Sequence, residues 1–205
     1  MSRDITLLHP KLQRILKQLK SVCDDHGLSF IVTDGFRTKG DQDKLYAQGR
    51  TASGSIVTNS RYPDSHHCWG IAFDFCRAIK GLEYENSDHF FEQVAQIGKS
   101  MGLAWGGDWS SFRDMPHLYL REFSPDGTCK LLKEQYESPI TFMETWCDNV
   151  AGFTDVSSAD WYADDVQWAK DAGIAAGYDD GTFRPDRKIT RAEVISMLHR
   201  LYDIM

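Results

Sequence analysis

The sequence lacks several features that would place it in a large class of proteins. None of its apolar runs approaches the roughly 18 residues that a membrane span needs. It has no excess of basic residues, since 23 Lys and Arg face 30 Asp and Glu, and its pI is near 5.4. Residues 1–20 are charged and amphipathic and contain no signal-peptide core. We therefore expect synthesis in the cytoplasm, no membrane insertion and no nucleic-acid partner.

The cysteines show no pairing pattern. The chain has five cysteines, an odd number, and no Cys-x-x-Cys pair. This argues against a disulfide framework and predicts that four of the five are reduced and buried. The five are Cys23, Cys68, Cys76, Cys129 and Cys147.

The chain is long enough for two folded parts. Of its 205 residues, 41% are hydrophobic and 12% aromatic, which suffices for a packed core. Residues 1–146 carry 17 basic and 19 acidic side chains, whereas residues 147–205 carry 6 and 11. The sequence pattern changes at the same place. We therefore predict a first domain over 1–146, a linker over 147–152 and a second domain over 153–205.

Hydrophobic periodicity in the first domain indicates both helices and strands. The predicted helices are 9–27, 41–48 and 90–101, and the predicted strands are 28–33, 71–75 and 118–123. Residues 49–65 are rich in turn-forming residues and are predicted to form a loop. Because the helices and strands follow no regular βαβ order, we predict an α+β fold with a small mixed sheet and flanking helices.

Two short segments hold the residue types that zinc catalysis requires. The first is 65–74 (SHHCWGIAFD) and the second is 114–117 (DMPH). Two imidazoles and one carboxylate are a sufficient ligand set for a catalytic zinc ion and leave a fourth position for water. Several neighbouring side chains offer alternatives: His66 or Cys68 could replace His67, and Cys76 could replace Asp74.

A metal site that uses both His67 and Asp74 requires a bend in the chain. In a straight strand the seven steps between them would span about 23 Å, whereas zinc ligands lie within roughly 2.0–2.2 Å of the metal. Gly70 is the residue between them that permits a sharp turn, so the bend is expected at Trp69-Gly70.

The order of the motifs carries a family resemblance. Ser-x-His-x-x-Gly-x-Ala-x-Asp at 65–74 is followed some forty residues later by Asp-x-Pro-His at 114–117. Upstream, 34–38 (DGFRT), 45–51 (LYAQGRT) and 57–59 (VTN) continue the match, which covers about residues 5–125. The whole resembles the zinc peptidoglycan peptidases, which include D-Ala-D-Ala carboxypeptidases and the L-alanyl-D-glutamate endopeptidases of phage endolysins. Asp rather than Glu at position 114 favours the endopeptidases.

The resemblance implies a hedgehog/DD-peptidase-like zinc domain acting on peptidoglycan stem peptides. It implies Zn²⁺ ligands at His67, Asp74 and His117. It also implies that Asp114 is the catalytic base, which takes a proton as water attacks the scissile carbonyl and delivers it to the leaving amine.

Two further residues gain roles from the same resemblance. Arg37 is implied to contact the substrate carbonyl or carboxylate and to stabilise the developing oxyanion. Ser65 is implied to serve the site by hydrogen bonding. The sequence His-His-Cys-Trp at 66–69 departs from the Tyr or Asn that is common there, so selectivity near the metal is left open.

Residues 153–205 carry a second pattern. We expect Asp160 to cap a helix that ends at Asp171, and Thr190 to cap a last helix with Glu193 completing a capping box. The whole stretch resembles a surface-layer homology (SLH) repeat, which implies a small α-helical module that binds secondary cell-wall polysaccharide. A helical dimerisation module is the alternative.

Trp161 and Arg191 match the positions that SLH repeats use for the polymer. Such repeats usually come as three, and this chain has one. A homotrimer would supply three copies; otherwise the single copy binds weakly.

The sequence therefore predicts a zinc-dependent endolysin that hydrolyses the L-alanyl-D-glutamate bond and is tethered to the wall by its SLH repeat. It would act at the bacterial cell wall after holin-type release from the host cytoplasm. Two alternatives remain, a D-Ala-D-Ala carboxypeptidase of the same fold and a non-catalytic wall-anchored binding protein. The second would need no catalytic base, and Asp114 argues against it.

Overall fold

The computed structural model describes residues 2–146, 150–158 and 160–204. The chain divides into two compact units, Met1–Thr145 and Trp146–Met205. Positions 147–149 of the predicted linker, including Cys147, lie outside the described residues. Within the described ranges, no helix has both the length and the apolar character that crossing a membrane would require.

Within its described residues, the first unit contains a four-stranded sheet and five α-helices. The strands are β1 (Phe30–Asp34), β2 (Ala72–Arg77), β3 (Leu103–Trp105) and β4 (His117–Leu120). The helices are α1 (Pro10–Asp25), α2 (Lys39–Ala47), α3 (Phe90–Ser100), α4 (Lys130–Gln135) and α5 (Pro139–Met143). The strand order is β1-β2-β4-β3, and each neighbouring pair is antiparallel. This confirms the α+β class, but the sheet is antiparallel and not the mixed sheet that was predicted.

A tight turn lies directly before β2. After α2 the chain passes through the predicted loop into a 3₁₀ turn at His66–Trp69. Gly70, at φ 65°, then directs the chain into β2 in the direction opposite to β1. The predicted bend at Trp69-Gly70 is therefore confirmed. Glycine suits this position, because a residue with a Cβ rarely adopts a positive φ.

Apolar side chains from helices and strands form the core of the first unit. Leu12, Leu16 and Leu19 of α1 and Phe73 and Phe75 of β2 are fully buried. Helix α1 packs against α3 and β1, and α3 packs against β3. Of the two central strands, β2 contributes Phe73 and Phe75 to this core, and all four residues of β4 are buried.

Short elements account for most differences from the sequence prediction. The pattern gave no indication of β3, α4 or α5, because elements of three, six and five residues are too short to show a period. The end of the predicted last strand, Arg121–Phe123, is a 3₁₀ turn.

The cysteine prediction is confirmed for the described residues. Cys23, Cys68, Cys76 and Cys129 are free and buried. Burial raises the pKa of the Cys23 thiol to about 11 and that of Cys68 to about 12. Both therefore stay protonated at neutral pH.

The second unit contains α6 (Ala163–Asp171) and α7 (Arg191–Asp203). Its small core consists of the buried side chains Phe153, Val156 and Val166. The apolar residues of α7 are mostly exposed, in contrast to those of α1.

The helix caps of the second unit agree with the prediction in one case of two. Thr190 and Glu193 form the predicted capping box at the start of α7. The prediction that Asp160 caps α6 is wrong, because Tyr162 is the N-cap residue. The Asp160 carboxylate instead accepts a hydrogen bond of 2.8 Å from the backbone N–H of Ser157.

Candidate metal centre

Three side chains from two adjacent strands and one turn converge at the edge of the core. His67 lies in the 3₁₀ turn, Asp74 lies in β2, and His117 opens β4. Asp74 and His117 are direct partners in the antiparallel register. The Gly70 turn folds His67 back over the same strand, so that its ring reaches Asp74.

The polar atoms of these three residues are close enough to share one ion. The Oδ1 atom of Asp74 lies 3.2 Å from Nε2 of His67 and 2.9 Å from Nδ1 of His117. All three ligand atoms lie within 4.8 Å of one another. Tetrahedral ligands at roughly 2.1 Å from zinc would be separated by about 3.4 Å, so this spacing is compatible with a zinc ion.

Hydrogen-bond accounting supports a cation at this position. Nδ1 of His67 lies 2.7 Å from the carbonyl oxygen of Gly35, which can only accept, so Nδ1 carries the ring proton. The Nε2 atom of His67 therefore faces the Asp74 carboxylate at 3.2 Å. Either a proton or a metal cation between these two atoms satisfies both groups, so a bound zinc ion would take the place of that proton.

Asp74 remains ionised in this environment. Burial, the largest influence, acts to raise the pKa of its carboxyl group. The nearby His67 and His117 outweigh burial and hold that pKa well below its ordinary value. A charged carboxylate is therefore available as a metal ligand.

Arg37 lies behind Asp74 and contacts it directly. Its Nη2 atom is 3.3 Å from Oδ2 of Asp74, and its Nε atom is 2.6 Å from Oδ2 of Asp34. Its Nη1 atom donates to Gln42 at 3.4 Å. Arg37 thus holds the carboxylate oxygen of Asp74 that faces away from the histidines, in addition to lining the cavity described below.

Asp114 lies on the loop that leads into β4. Its backbone N–H donates to the carbonyl of Gly106 at 3.1 Å, and its own carbonyl accepts from the N–H of His117 at 3.2 Å. The backbone segments at Gly106 and Asp114 lie so close together that a Cβ on Gly106 would be 2.6 Å from the carbonyl oxygen of Asp114. Burial, with a contribution from Asp74, raises the pKa of the Asp114 carboxyl group despite the opposing influence of His117.

A cavity of about 410 Å³ opens over these residues. Every site residue predicted in the first unit contributes to its lining: Arg37, Ser65, His67, Asp74, Asp114 and His117. Ser65 is buried at the start of the 3₁₀ turn, and its side chain makes no capping hydrogen bond there. The structure therefore brings the predicted residues of the first unit into one site.

The alternative ligands left open by the sequence lie outside the three-residue cluster. The Cys68 thiol faces Gln42 at 3.9 Å, and Cys76 is buried in β2. His66 lies on the far side of His117, with its Nδ1 atom 3.1 Å from Nε2 of His117.

The sequence gave no indication of two aromatic residues that line the cavity, Trp109 and Phe112. Both lie in the loop between β3 and β4, where no periodic pattern exists. Phe112 adopts φ 51°, which is uncommon for a residue with a side chain.

The residues predicted to bind wall polymer lie on separate elements of the second unit. Trp161 is exposed in the turn before α6, and Arg191 is the first residue of α7. A shallow cavity along α7 is lined by Arg191, Ala192, Ile195, Ser196 and His199, and Trp161 is not among its lining residues.

Comparison with known families matches the two parts of the chain separately. Residues 58–120 match the family model described as D-alanyl-D-alanine carboxypeptidase. Residues 152–195 match the model of the S-layer homology domain.

Individual relatives of the first part are peptidoglycan peptidases by name. The chain is 39% identical over 120 residues to the peptidoglycan L-alanyl-D-glutamate endopeptidase CwlK of Bacillus subtilis, covering 54% of this chain and 72% of that protein. It is 34% identical over 106 residues to the L-alanyl-D-glutamate peptidase of Listeria phage A118, covering 50% of this chain and 34% of that protein. Among solved structures, the L-Ala D-Glu endopeptidase ChiX of Serratia marcescens matches with 23% identity and a TM-score of 0.44, over 58% of this chain and 86% of that one.

Proposed function

We propose that this chain, which belongs to the family of the Bacillus subtilis peptidoglycan L-alanyl-D-glutamate endopeptidase, hydrolyses the bond between L-alanine and D-glutamate in peptidoglycan stem peptides. It is a metallopeptidase, and its cofactor is Zn²⁺. The observation that carries the proposal is the cluster of two imidazole nitrogens and one carboxylate oxygen, within 4.8 Å of one another, at the base of the cavity that Asp114 also lines.

His67, Asp74 and His117 would hold the zinc ion, through Nε2, Oδ1 and Nδ1 respectively. When bound, zinc supplies Lewis acidity toward water and toward the scissile carbonyl. Three protein ligands leave a fourth position open, as catalytic zinc sites require.

Asp114 is the general base of the proposed reaction. Its carboxylate takes a proton from the attacking water and returns it to the leaving amine of D-glutamate. Burial raises the pKa of this carboxyl group, which makes the carboxylate a stronger proton acceptor than one in water.

Arg37 and Ser65 complete the proposed site. Arg37 keeps Asp74 oriented and adds positive charge near the carbonyl oxygen that becomes negative in the transition state. Ser65 offers a buried hydroxyl at the cavity wall for a hydrogen bond to the substrate.

We propose that the second domain, residues 153–205, binds secondary cell-wall polysaccharide through Trp161 and Arg191. The match to the S-layer homology domain supports this assignment. Three chains would provide the three repeats that a full polymer site needs, and the exposed apolar side chains along α7 are compatible with self-association.

The wall-binding proposal predicts separate effects on binding and on chemistry. Trp161→Ala and Arg191→Ala should each weaken sedimentation with intact walls while leaving cleavage of a short soluble peptide unchanged. Trp168→Ala is the matched control, since Trp168 is also exposed but lies on α6. Equal sedimentation with walls stripped of secondary polysaccharide would contradict the assignment.

The biological role that fits both parts is that of an endolysin acting at the bacterial cell wall, released through a holin. Similarity to a phage peptidase supports this role. The main alternative is D-alanine removal by the same fold, since the matching family model is described as a carboxypeptidase.

Mass spectrometry of digested peptidoglycan identifies the bond that is cleaved. We expect new termini at the L-alanine carboxyl group and the D-glutamate amine. Release of free D-alanine alone would assign the chain to the carboxypeptidases, and intact peptidoglycan in the presence of zinc would contradict any peptidase function.

Metal analysis tests the ligand set. Chelation should abolish lysis, and His67→Ala, Asp74→Ala and His117→Ala should each lower the zinc content. Full zinc occupancy in one of these variants would remove that residue from the ligands. His26→Ala, at an exposed histidine outside the three-residue cluster, is the matched control.

A further inference from the structure

His66 connects one of the proposed metal ligands to the protein interior. Its ring is buried and stacks on Tyr119, with 4.3 Å between ring centroids and 13° between ring planes. Its Nδ1 atom lies 3.1 Å from Nε2 of His117, and its Nε2 atom lies 2.9 Å from Oγ of Ser124. The Ser124 hydroxyl is in turn 2.8 Å from the backbone carbonyl of Thr128.

The direction of every hydrogen bond in this chain follows from its last member. A carbonyl oxygen can only accept, so the Ser124 hydroxyl donates to Thr128 and has no second hydrogen. Ser124 must therefore accept from His66, which places the proton of the neutral His66 ring on Nε2. The bare Nδ1 atom of His66 then accepts from Nε2–H of His117.

In the neutral ring that a metal ligand requires, this proton arrangement leaves the lone pair of His117 on Nδ1, the atom that lies 2.9 Å from Oδ1 of Asp74. His67 needs the opposite tautomer, with a bare Nε2 atom, and obtains it from the carbonyl of Gly35. The two histidines thus present different ring nitrogens to the same point. Each requires its own partner, because a ligand histidine binds through the nitrogen that its other hydrogen bond leaves bare.

We propose that His66 is a positioning residue that, anchored by Ser124 and the Thr128 carbonyl, fixes His117 in the tautomer and orientation that bind zinc through Nδ1. The inference rests on the proposed metallopeptidase site. It extends that site by a chain of two side chains and one carbonyl that lies outside the proposed ligand set, although the His66 ring also lines the cavity.

Simple packing of a buried histidine is the competing explanation, and the two differ in what substitution does. His66→Phe keeps an aromatic ring against Tyr119 but removes the acceptor for His117. His66→Asn places an amide oxygen close to the former Nδ1 position and restores an acceptor. Ser124→Ala leaves packing nearly intact and lets the His66 proton move to Nδ1, where it opposes the proton on His117.

The first test measures the zinc dissociation constant of the full chain by competition with a fluorescent chelator. We expect His66→Phe and Ser124→Ala to weaken zinc binding by about 10- to 100-fold, as loss of such outer partners does elsewhere. His66→Asn should lie closer to the unaltered protein than His66→Phe. Tyr119→Phe, which keeps the stacked ring, should stay within about twofold. Unchanged affinity in both His66→Phe and Ser124→Ala would overturn the inference.

The second test needs no substitution and remains decisive if a variant fails to fold. Nitrogen chemical shifts of ¹⁵N-histidine in the zinc-loaded protein report which ring atom carries each proton. We expect Nε2 to be protonated in both His66 and His117. A proton on Nδ1 of His66 would overturn the inference. Neither test depends on which peptide bond is cleaved, so an unexpected digestion product would contradict the proposed substrate and leave this inference standing.

Discussion

Replacing Asp114 by asparagine separates proton transfer from metal binding. Asparagine has nearly the same shape, so the backbone hydrogen bonds to Gly106 and His117 should persist. The amide cannot accept a proton from water. We expect kcat/KM to fall by about 10²- to 10⁴-fold, the usual contribution of a general base, which corresponds to roughly 3–5 kcal/mol of transition-state stabilisation.

The pH profile gives a second, independent signature of Asp114. A general base works only when it is ionised, and burial raises the pKa of this carboxyl group above its ordinary value of 3.8. Activity of the unaltered protein should therefore be lost as the pH falls through that raised pKa. Asp74, Arg37, His67 and His117 also act on Asp114, and all four remain in the Asp114→Asn variant. If the variant no longer loses activity over that acidic range, the loss in the unaltered protein is therefore due to Asp114.

The assay follows amine release from a soluble stem peptide over a range of pH, with zinc content measured on the same samples. Asp108→Asn is the matched control. Asp108 lies in the 3₁₀ turn Gly106–Asp108, and its exposed carboxylate forms a salt bridge with Lys99. Its activity and zinc content should be unchanged. Activity of Asp114→Asn within tenfold of the unaltered protein, or loss of its zinc, would refute the assignment of Asp114 as the base.

Three further substitutions test the support of the site and the stability of the first domain. Gly106→Ala should lower turnover and zinc content together, since its Cβ would lie 2.6 Å from the Asp114 carbonyl oxygen and 3.0 Å from Cβ of the proposed ligand His117. Gly40→Ala, which has open space in α2, should leave both unchanged in the same assay. Arg37→Lys should lower kcat/KM by about tenfold or more, because lysine cannot bridge two carboxylates as the guanidinium does; unchanged kinetics would remove Arg37 from the site. Burial lowers the pKa of His9 from 6.5 to about 4 in the folded protein. As the pH falls, the unfolded state therefore binds this proton first, and the free energy of unfolding should decrease by about 3 kcal/mol between pH 6.5 and pH 4. Urea unfolding of His9→Asn should show a smaller loss over that interval, and parallel curves would contradict the argument.

Sequence reasoning identified the members of the site because their spacing is unusual and their chemistry is specific. The bend at Trp69-Gly70 followed from distance alone, since His67 and Asp74 cannot share a metal along a straight strand. The structure has a 3₁₀ turn and a left-handed glycine at that place. Arg37 was expected to face the substrate, and its ion pairs with Asp34 and Asp74 add a second contact that no motif implied.

The parts that could not be predicted depend on contacts between distant segments. Ser124 lies 58 positions after His66, and nothing in the local sequence links the two. Trp109 and Phe112 line the cavity from an irregular loop, where side-chain direction is set by tertiary contacts. His66 itself was considered only as an alternative ligand, because the sequence cannot show on which side of His117 its ring lies.

The site divides between a rigid part and a loop, and this division has a consequence for the reaction. Asp74 and His117 are register partners on the central strands, which the buried core holds in place. Asp114 lies on a loop whose position depends on the close approach to Gly106. A change in the loop can therefore displace the base while the metal ligands stay assembled. Zinc binding and turnover should therefore separate for Asp114→Asn. Gly106→Ala should impair both together, as should substitutions in the central strands, because its Cβ would also lie 3.0 Å from Cβ of His117.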